Sequence, residues 1–488
     1  MNSIFSGLEP KQLWEHFERL NAVPRPSKKE TKVIEFIRNF GQSLNLEVVD
    51  DAVGNVLIRK PGHGSKADAP TVILQSHLDM VHQKNADSNF DFATQGIEML
   101  RDGDWIRAKS TTLGADNGIG VAAAMAILSS TDIPHPPIEA LFTIDEETGM
   151  TGAKGLQPGF LQGSILLNLD TEDDDELTIG CAGGLDLIAE GSYQSEPAEP
   201  DHICWSIHLT GLTGGHSGMD IHKGRANANK LMNRILFCLQ QQFSGLRLCQ
   251  IDGGGLRNAI PRESKAIVSF PVSTDLDAKL HQAIVELEAT LKSEHQGSDP
   301  NLEIKVASLS SSETVVSQAF QTQFLHATYC LLNGIYRMSP DVEGLVQTSN
   351  NLARVILKDG HYSIQCLSRS SVDSEKIDLA QALQSSLQGL GGTIRLEGSY
   401  PGWTPRPGSA IVKLMSELYR EMFSQDAKVK ACHAGLECGI IGTHYPDMQM
   451  ISFGPNIRGA HSPDETVQIS SVQKFWTYFL RTLAVLAT

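Results

Sequence analysis

Ile138-Glu-Ala-Leu-Phe-Thr-Ile-Asp-Glu-Glu147 is an apolar run that ends in a cluster of carboxylates. Its length and β-branched and aromatic content read as a buried strand. Adjacent Glu146 and Glu147 at the end of such a strand repel each other unless water or a cation neutralises them. Upstream, residues 46–49, 56–59 and 71–75 have the same strand character, residues 118–129 form a helix of small residues, and 164–169 is another apolar strand. Helices at 10–20 and 28–44 precede them, the second behind a Pro24-Arg-Pro26-Ser27 start signal. Strands alternating with helices indicate an α/β sheet whose central strands are apolar on both faces.

From about residue 185 the texture changes. A strand at 205–210, a helix at 227–241, two strands within 260–271 and a helix at 277–291 suit an α+β arrangement. Asn258-Ala-Ile-Pro-Arg262, a strand and a helix after Asp275 are echoed by Asn351-Leu-Ala-Arg354, a strand and a helix after Asp373. The α/β texture resumes with a helix at 409–423, strands at 429–433 and 448–453, and a terminal helix at 471–486. The expected fold class is therefore α/β. A discontinuous catalytic domain, residues 1–185 and 401–488, has a central mixed, mostly parallel sheet flanked by helices. Residues 186–400 form an inserted α+β lid domain made of two related halves.

Composition narrows the function. The 488 residues carry a net charge of −17, with 41% hydrophobic and 20% charged residues, as in an ordered globular protein. No basic run accompanies that balance, which argues against nucleic acid and anionic membrane surfaces, since both require clustered Lys and Arg. No apolar segment approaches the ~20 residues needed to span a bilayer. The first ten residues lack the charged and apolar regions of a signal peptide. Eight scattered cysteines with no C-x-x-C pair favour a reducing compartment, so a cytoplasmic location is expected.

Five segments place acidic or imidazole groups at strand ends or in Gly-rich loops: Gln75-Ser-His77-Leu-Asp79, Thr112-Leu-Gly-Ala-Asp116, Asp145-Glu146-Glu147, Asn168-Leu-Asp170 and Gly459-Ala-His461. Singly, each reads as a cap or turn. Together they match a site beyond the carboxyl ends of the strands of an open α/β sheet. Asp79 is placed to orient His77, because a ligating imidazole gives its second nitrogen to a carboxylate or carbonyl. Asp116, between glycines, could bridge two cations. One carboxylate of the Glu pair could ligate while the other acts as general base. Mixed N and O donors without thiolate suit Zn²⁺, and also Mn²⁺ or Co²⁺.

At these residues the chain resembles the co-catalytic zinc peptidase family that includes carnosinases, carboxypeptidase G-type enzymes, aminoacylases and succinyl-diaminopimelate desuccinylase. The longer blocks are similar to its dipeptidase branch: Ser76-His-Leu-Asp-Met-Val81, Thr111-Thr-Leu-Gly-Ala-Asp-Asn-Gly-Ile-Gly120, Gly214-Gly-His-Ser-Gly218, Arg257-Asn-Ala-Ile-Pro-Arg-Glu263, His433-Ala-Gly-Leu-Glu-Cys-Gly439 and His461-Ser-Pro-Asp-Glu465.

The resemblance implies two divalent ions. His77, Asp116 and Asp170 would hold one, and Asp116, Glu147 and His461 the other. It makes Glu146 the general base, Asp79 the partner of His77, and His216 a donor to the oxyanion. Asn258, Asn351, Arg369 and the Gly435 backbone would meet the substrate's terminal carboxylate, and Glu437 its α-amino group. Asp145 departs from the family pattern by adding a charge beside the base. The implied activity is hydrolysis of unblocked dipeptides, Xaa-His and β-alanyl-histidine among them. The alternatives are an N-acyl amino acid amidohydrolase or carboxypeptidase of the same family, and a metal-free binding module that keeps the fold. The resemblance leaves two assemblies open: a homodimer formed through the second domain, or a monomer whose duplicated second domain covers its own site.

Overall fold

The computed structural model describes residues 4–64, 69–309 and 314–486. The chain divides into two compact units. The first comprises Met1–Gly180, Pro405–Ala431 and Leu436–Thr488, and the second Cys181–Thr404 with Cys432–Gly435.

The first unit is built on an eight-stranded sheet. Its order is Glu47–Asp50, Val56–Lys60, Ile138–Thr143, Val72–His77, Ile165–Asn168, Gln449–Ser452, Glu176–Cys181 and Lys428–Cys432. The four strands from Ile138–Thr143 to Gln449–Ser452 run parallel. Every residue of Val72–His77 and Ile138–Thr143 is buried, as expected of strands covered on both faces. The expectation of a mostly parallel sheet needs correction, because parallel order is confined to this centre. Glu47–Asp50, Val56–Lys60 and Ile138–Thr143 pair antiparallel, the first two through a tight turn that permits no other direction. Glu176–Cys181 is also antiparallel to its neighbour Gln449–Ser452.

The helix Ala115–Ser129 packs on this sheet and against Lys11–Asn21. Its small residues allow close approach: a Cβ at Gly118 would lie 3.0 Å from Phe17, and one at Gly120 would lie 2.6 Å from the Leu169 carbonyl oxygen. Trp14, Phe17 and Leu20 on the facing helix are fully buried. A fully buried side chain of this size contributes roughly 1.5–3 kcal/mol.

The parallel centre puts the strand ends in register. His77 lies beside Thr143, and Gln75 beside Asn168. The segments that follow, carrying Asp79, Asp145–Glu147 and Asp170, therefore leave along one edge. A separate four-stranded sheet joins Met99–Asp102 and Trp105–Ala108 to the short strands Ile457–Arg458 and Thr466–Gln468. That last hairpin carries residues 459–465 in its loop, including His461.

The second unit has a nine-stranded antiparallel sheet. Along its main path the order is Glu303–Leu309, His202–Thr210, Ser264–Pro271, Arg247–Gly254, Val346–Lys358, His361–Ser370, Gly183–Ser192 and Thr393–Tyr400. The path has matching halves. Each follows strand, helix, strand, strand, helix, strand in the chain and is arranged fourth-first-third-second in space. One half, residues 202–309, lies within the first crossover of the other. The strand–helix pairs Ser264–Pro271 with Leu276–Glu294 and His361–Ser370 with Asp373–Leu387 are the equivalents that the sequence echo marked. None of the eight cysteines forms a disulfide, and no helix among the described residues is long and apolar enough to cross a membrane.

Candidate metal centre

His77 ends the Val72–His77 strand and is 1% exposed. Its Nε2 lies 3.1 Å from Asp116 Oδ1 and 3.4 Å from Asp170 Oδ1, while Nδ1 lies 3.3 Å from Asp79 Oδ1. His461 Nε2 lies 3.3 Å from Asp116 Oδ2 and 3.0 Å from Glu147 Oε2. Two groups of potential ligand atoms result, His77/Asp116/Asp170 and Asp116/Glu147/His461, each contained within 4.8 Å and sharing Asp116. His461 has a φ of 68°, a left-handed conformation rare outside glycine and concentrated at functional sites.

Asp79 is completely buried and receives four donors. Its Oδ1 accepts the Glu146 N–H at 3.0 Å and faces His77 Nδ1. Its Oδ2 accepts the Glu147 N–H at 3.3 Å and the Ser27 hydroxyl at 2.8 Å. One carboxylate thus fixes both the imidazole and the turn that presents the Glu pair. Burial raises the Asp79 carboxyl, but its bonds from His77, Glu146 and Ser27 prevail and hold it below the ordinary value.

Mutual attraction and burial set the charges of the other groups. Burial opposes the His77 imidazolium, yet Asp170, Asp116 and Asp79 push its pKa well above 6.5. Asp116 and Glu147 raise His461 to about 11. Asp116, despite burial, is driven down by His461 and His77. Burial and neighbouring carboxylates raise Glu146 well above 4.5, raise Asp170 to about 6, and raise Glu172 to about 8.

Three carboxylates and two imidazoles at this spacing compete for positive charge, which a divalent cation supplies with release of protons. Glu147 Oε1 and Asp170 Oδ1 are buried acceptors without hydrogen-bond partners, a costly state that cation coordination relieves. The donor set and these two oxygens fit a pair of divalent ions.

Asp145 does not join these ligands. Its carboxylate accepts the hydroxyls of Thr148 and Thr151, and it groups with Glu30 and Asp79. The extra charge expected beside the base is absorbed by its own turn. Glu437 is 1% exposed, and its Oε2 accepts Thr143 Oγ1–H at 2.6 Å and Gln75 Nε2–H at 2.7 Å. That oxygen braces the strand ends from within, while Oε1 is buried without a hydrogen-bond partner, and burial raises the carboxyl to about 7.

The remaining expected residues belong to the second unit. His216 Nδ1 accepts the N–H groups of Gly218 and Met219 at 3.1 and 3.0 Å, which makes Nε2 its protonated, donating nitrogen. Arg369 is 5% exposed, gives Nη1–H to the Tyr400 hydroxyl at 2.9 Å, and has a buried Nε without a partner. A Cβ on Gly218 would lie 3.1 Å from His216 Cε1, 3.2 Å from Arg369 Nε and 2.2 Å from the His433 carbonyl oxygen. Glycine is thus what lets these three residues converge, and Gly435 lies two positions beyond His433.

Asn258 is exposed, and its carbonyl accepts the Ser217 N–H at 2.7 Å. Asn351, by contrast, is 1% exposed. Its Nδ2 donates to the carbonyls of Arg257 and Ala259, and its Oδ1 accepts from Asn227. The expected substrate contact at Asn351 is therefore a brace for the 257–259 loop, its polar atoms already occupied.

Sequence reasoning missed three residues. His433 is buried, Nε2 sits 2.8 Å from Ser349 Oγ, and burial with Arg369 nearby lowers it to about 3. Arg25 and Glu465, in the first unit, bind the backbone of the ligand loops. The His433 and His461 blocks contained two of the three, but bonds to distant backbone leave no periodic signal.

A model described as Peptidase family M20/M25/M40 matches residues 73–484. The chain is 39% identical over 475 residues, 97% of each protein, to the cytosol non-specific dipeptidase of Escherichia coli (strain K12). It is 40% identical to the crystal structure of aminoacylhistidine dipeptidase from Vibrio alginolyticus, with a TM-score of 0.92 over 99% of this chain and 98% of that one. The aminopeptidase PepT structure from Bacillus cereus shares the fold at 14% identity, with a TM-score of 0.57.

Proposed function

The chain belongs to peptidase family M20/M25/M40, and on that premise we propose that it is a metal-dependent dipeptidase cleaving unblocked dipeptides, Xaa-His among them, in the cytoplasm. The observation that carries this reading is the pair of ligand groups sharing Asp116. His77, Asp116 and Asp170 would hold one ion, and Asp116, Glu147 and His461 the other. The mixed N and O donor set, without thiolate, suits Zn²⁺, and also Co²⁺ or Mn²⁺. When bound there, a pair of divalent ions polarises a carbonyl and makes water nucleophilic near neutral pH.

The chain's own residues supply the proton chemistry and the geometry. Glu146 takes a proton from water on its carboxylate and delivers it to the leaving amine. Its elevated pKa matches that return step, and its carboxylate form would be favoured with cations held beside it. Asp79 keeps His77 in one tautomer and holds the Glu146–Glu147 backbone. His216 Nε2–H is the donor assigned to the developing oxyanion. Arg369 Nε–H, Asn258 and the Gly435 N–H are assigned to the substrate's terminal carboxylate, for which a guanidinium is the suited partner.

Stripping the protein with a chelator should abolish hydrolysis of free dipeptides, and Zn²⁺, Co²⁺ or Mn²⁺ should restore it. Comparison with N-acylated dipeptides decides the substrate class. Undiminished turnover in metal-stripped protein overturns the metal dependence. A preference for acylated substrates transfers the reading to an amidohydrolase. Light scattering of the purified protein tests for the homodimer.

A further inference from the structure

The Ala115–Ser129 helix begins abnormally. Its N-cap is Gly114, at φ 72°, which offers no side chain to the first helical N–H groups, and Asp116 and Asn117 depart from helical angles. The helix alone therefore does not dictate where the Asp116 carboxylate points. The missing cap comes from across the chain. Glu465, 2% exposed, accepts four consecutive N–H groups: Leu113 at 2.7 Å and Gly114 at 2.8 Å on Oε2, Ala115 at 2.7 Å and Asp116 at 3.2 Å on Oε1. A carboxylate at this end of a helix also meets the positive end of its dipole.

The opposite side of the same loop is held by a buried cation. Arg25, 1% exposed, donates Nη2–H to the Gly114 carbonyl at 2.5 Å and to Asn21 Oδ1 at 3.0 Å. Its Nη1 donates to the carbonyls of Leu78 and Asp79, both at 3.1 Å. One guanidinium thus touches the loop after His77 and the loop before Asp116. Glycine is required at 114, since a Cβ there would lie 2.5 Å from Arg25 Nη2 and 2.9 Å from Met80 Sδ.

We propose that Glu465 and Arg25 are positioning residues of the metal centre, a buried pair of opposite charges that clamps the 113–116 loop from its amide and carbonyl sides. The clamp sets the separation of His77 from Asp116 and the aim of the shared ligand. This rests on the reading of Asp116 as a ligand to both ions. Neither Glu465 nor Arg25 is assigned to touch substrate.

The test is Co²⁺ titration of metal-stripped protein, followed by calorimetry and the visible spectrum of the bound ion. The variants are Glu465→Gln, which retains one acceptor oxygen for four donors, and Arg25→Lys, which retains the charge but not the forked reach. Glu139→Gln is the control, because Glu139 is equally buried but binds Arg59 and the N–H groups of Gln162 and Gly163 at the far end of its strand.

Wild type and Glu139→Gln should bind two ions per chain. Each clamp variant should lose at least tenfold in affinity for one or both, with an altered Co²⁺ spectrum and a fall in kcat larger than any change in KM. A folded Glu465→Gln or Arg25→Lys protein with wild-type affinities and spectrum overturns the proposal. So does an equal loss of metal in Glu139→Gln, which would mark a general effect of destabilisation. If Glu465→Gln does not fold, the Arg25→Lys titration decides by the same criteria. Wild type that fails to bind two ions would instead refute the two-metal reading itself.

Discussion

Replacing Asp79 by Asn removes one negative charge and one acceptor oxygen while keeping the shape of the side chain. Four donors converge on this carboxylate: His77 Nδ1 and the Glu146 N–H at one oxygen, the Glu147 N–H and the Ser27 hydroxyl at the other. The Asn side chain does least damage with its amide nitrogen in the Oδ2 position. Ser27 can then accept from that nitrogen while donating to the Met80 carbonyl, its other partner at 3.1 Å. The Glu147 N–H is left facing a donor, which costs about 1–3 kcal/mol for a buried group. The two bonds kept at the remaining oxygen lose their charge assistance and with it roughly half their strength. Together these changes predict a loss of about 2–4 kcal/mol in unfolding free energy.

Loss of the partner of a ligating histidine further predicts a fall of about 10–100-fold in metal affinity. Because Glu147 is the proposed ligand whose backbone loosens, binding at the Asp116, Glu147 and His461 group should weaken at least as much as at its neighbour. The Asp79 carboxyl lies below 3.8 in the folded protein, so its stabilisation is fully present above pH 3.8 and is lost only as pH falls through the lower folded value. Measurements at pH 7 therefore register the whole effect. Urea unfolding of metal-stripped protein gives the stability change, and Zn²⁺ calorimetry gives the affinities. An Asn variant within about 0.5 kcal/mol of wild type, the range of an ordinary surface substitution, would refute the reasoning. So would two unaltered Zn²⁺ affinities.

Three further outcomes follow from the same geometry. Glu146→Gln should bind both ions yet lose about 10²–10⁴ in kcat, the usual worth of a general base, and near-normal turnover would remove it from that role. His216→Ala should lower kcat with unchanged metal stoichiometry and melting temperature; a fall in stability without a kinetic effect would make the residue structural. His16, which burial lowers from 6.5 to about 4, stays neutral in the fold while the unfolded chain protonates. Stability should therefore rise with pH between about 4 and 6.5, by no more than about 1.4 kcal/mol per pH unit from this group, and His16→Gln should flatten the slope in urea melts across that window.

What could be read from the sequence divides by the range of the interactions involved. His77, Asp116, Glu147 and Asp170 were legible because each follows a strand or enters a helix whose apolar run can be recognised locally. His461 has no such run, since it lies in a loop between the two-residue strand Ile457–Arg458 and the three-residue strand Thr466–Gln468, too short to show periodicity. Its loop offered it only as a candidate imidazole, and the family resemblance assigned it to the second ion. Asn351 came as a substrate contact with the resemblance, and nothing local in the sequence shows that the first eight positions of Val346–Lys358 are all buried and that its side chain bonds an adjacent loop. Arg25 and Glu465 were invisible as a pair because their bonds run mainly to backbone atoms, which every residue possesses; 351 positions separate Gly114 from the carboxylate that binds its N–H.

The insertion of a second unit between ligands follows from how its ends are joined. Four of the five proposed ligands fall within residues 77–170, while His461 comes after the whole segment Cys181–Thr404. Within the second unit, the Cys181 N–H donates to the Trp403 carbonyl at 3.0 Å, and the Trp403 N–H donates back to the Cys181 carbonyl at 2.9 Å. The unit therefore begins and ends at one point, so its more than two hundred residues impose no separation on the strands that precede and follow it. Ala182 N–H, bonded to the carbonyls of Cys432 and Ala434, ties the short returning segment Cys432–Gly435 to that same point. Residues Gly435 and His433 thereby join the second unit although the chain on both sides of them belongs to the first. A change at the Cys181–Trp403 closure should on this account disturb His433 and Gly435 while leaving His77, Asp116, Glu147 and Asp170 in place. Trp403→Pro, which removes the N–H donated to the Cys181 carbonyl, should accordingly raise KM for dipeptides while two Zn²⁺ ions still bind, and a loss of metal without a change in KM would contradict that division of labour.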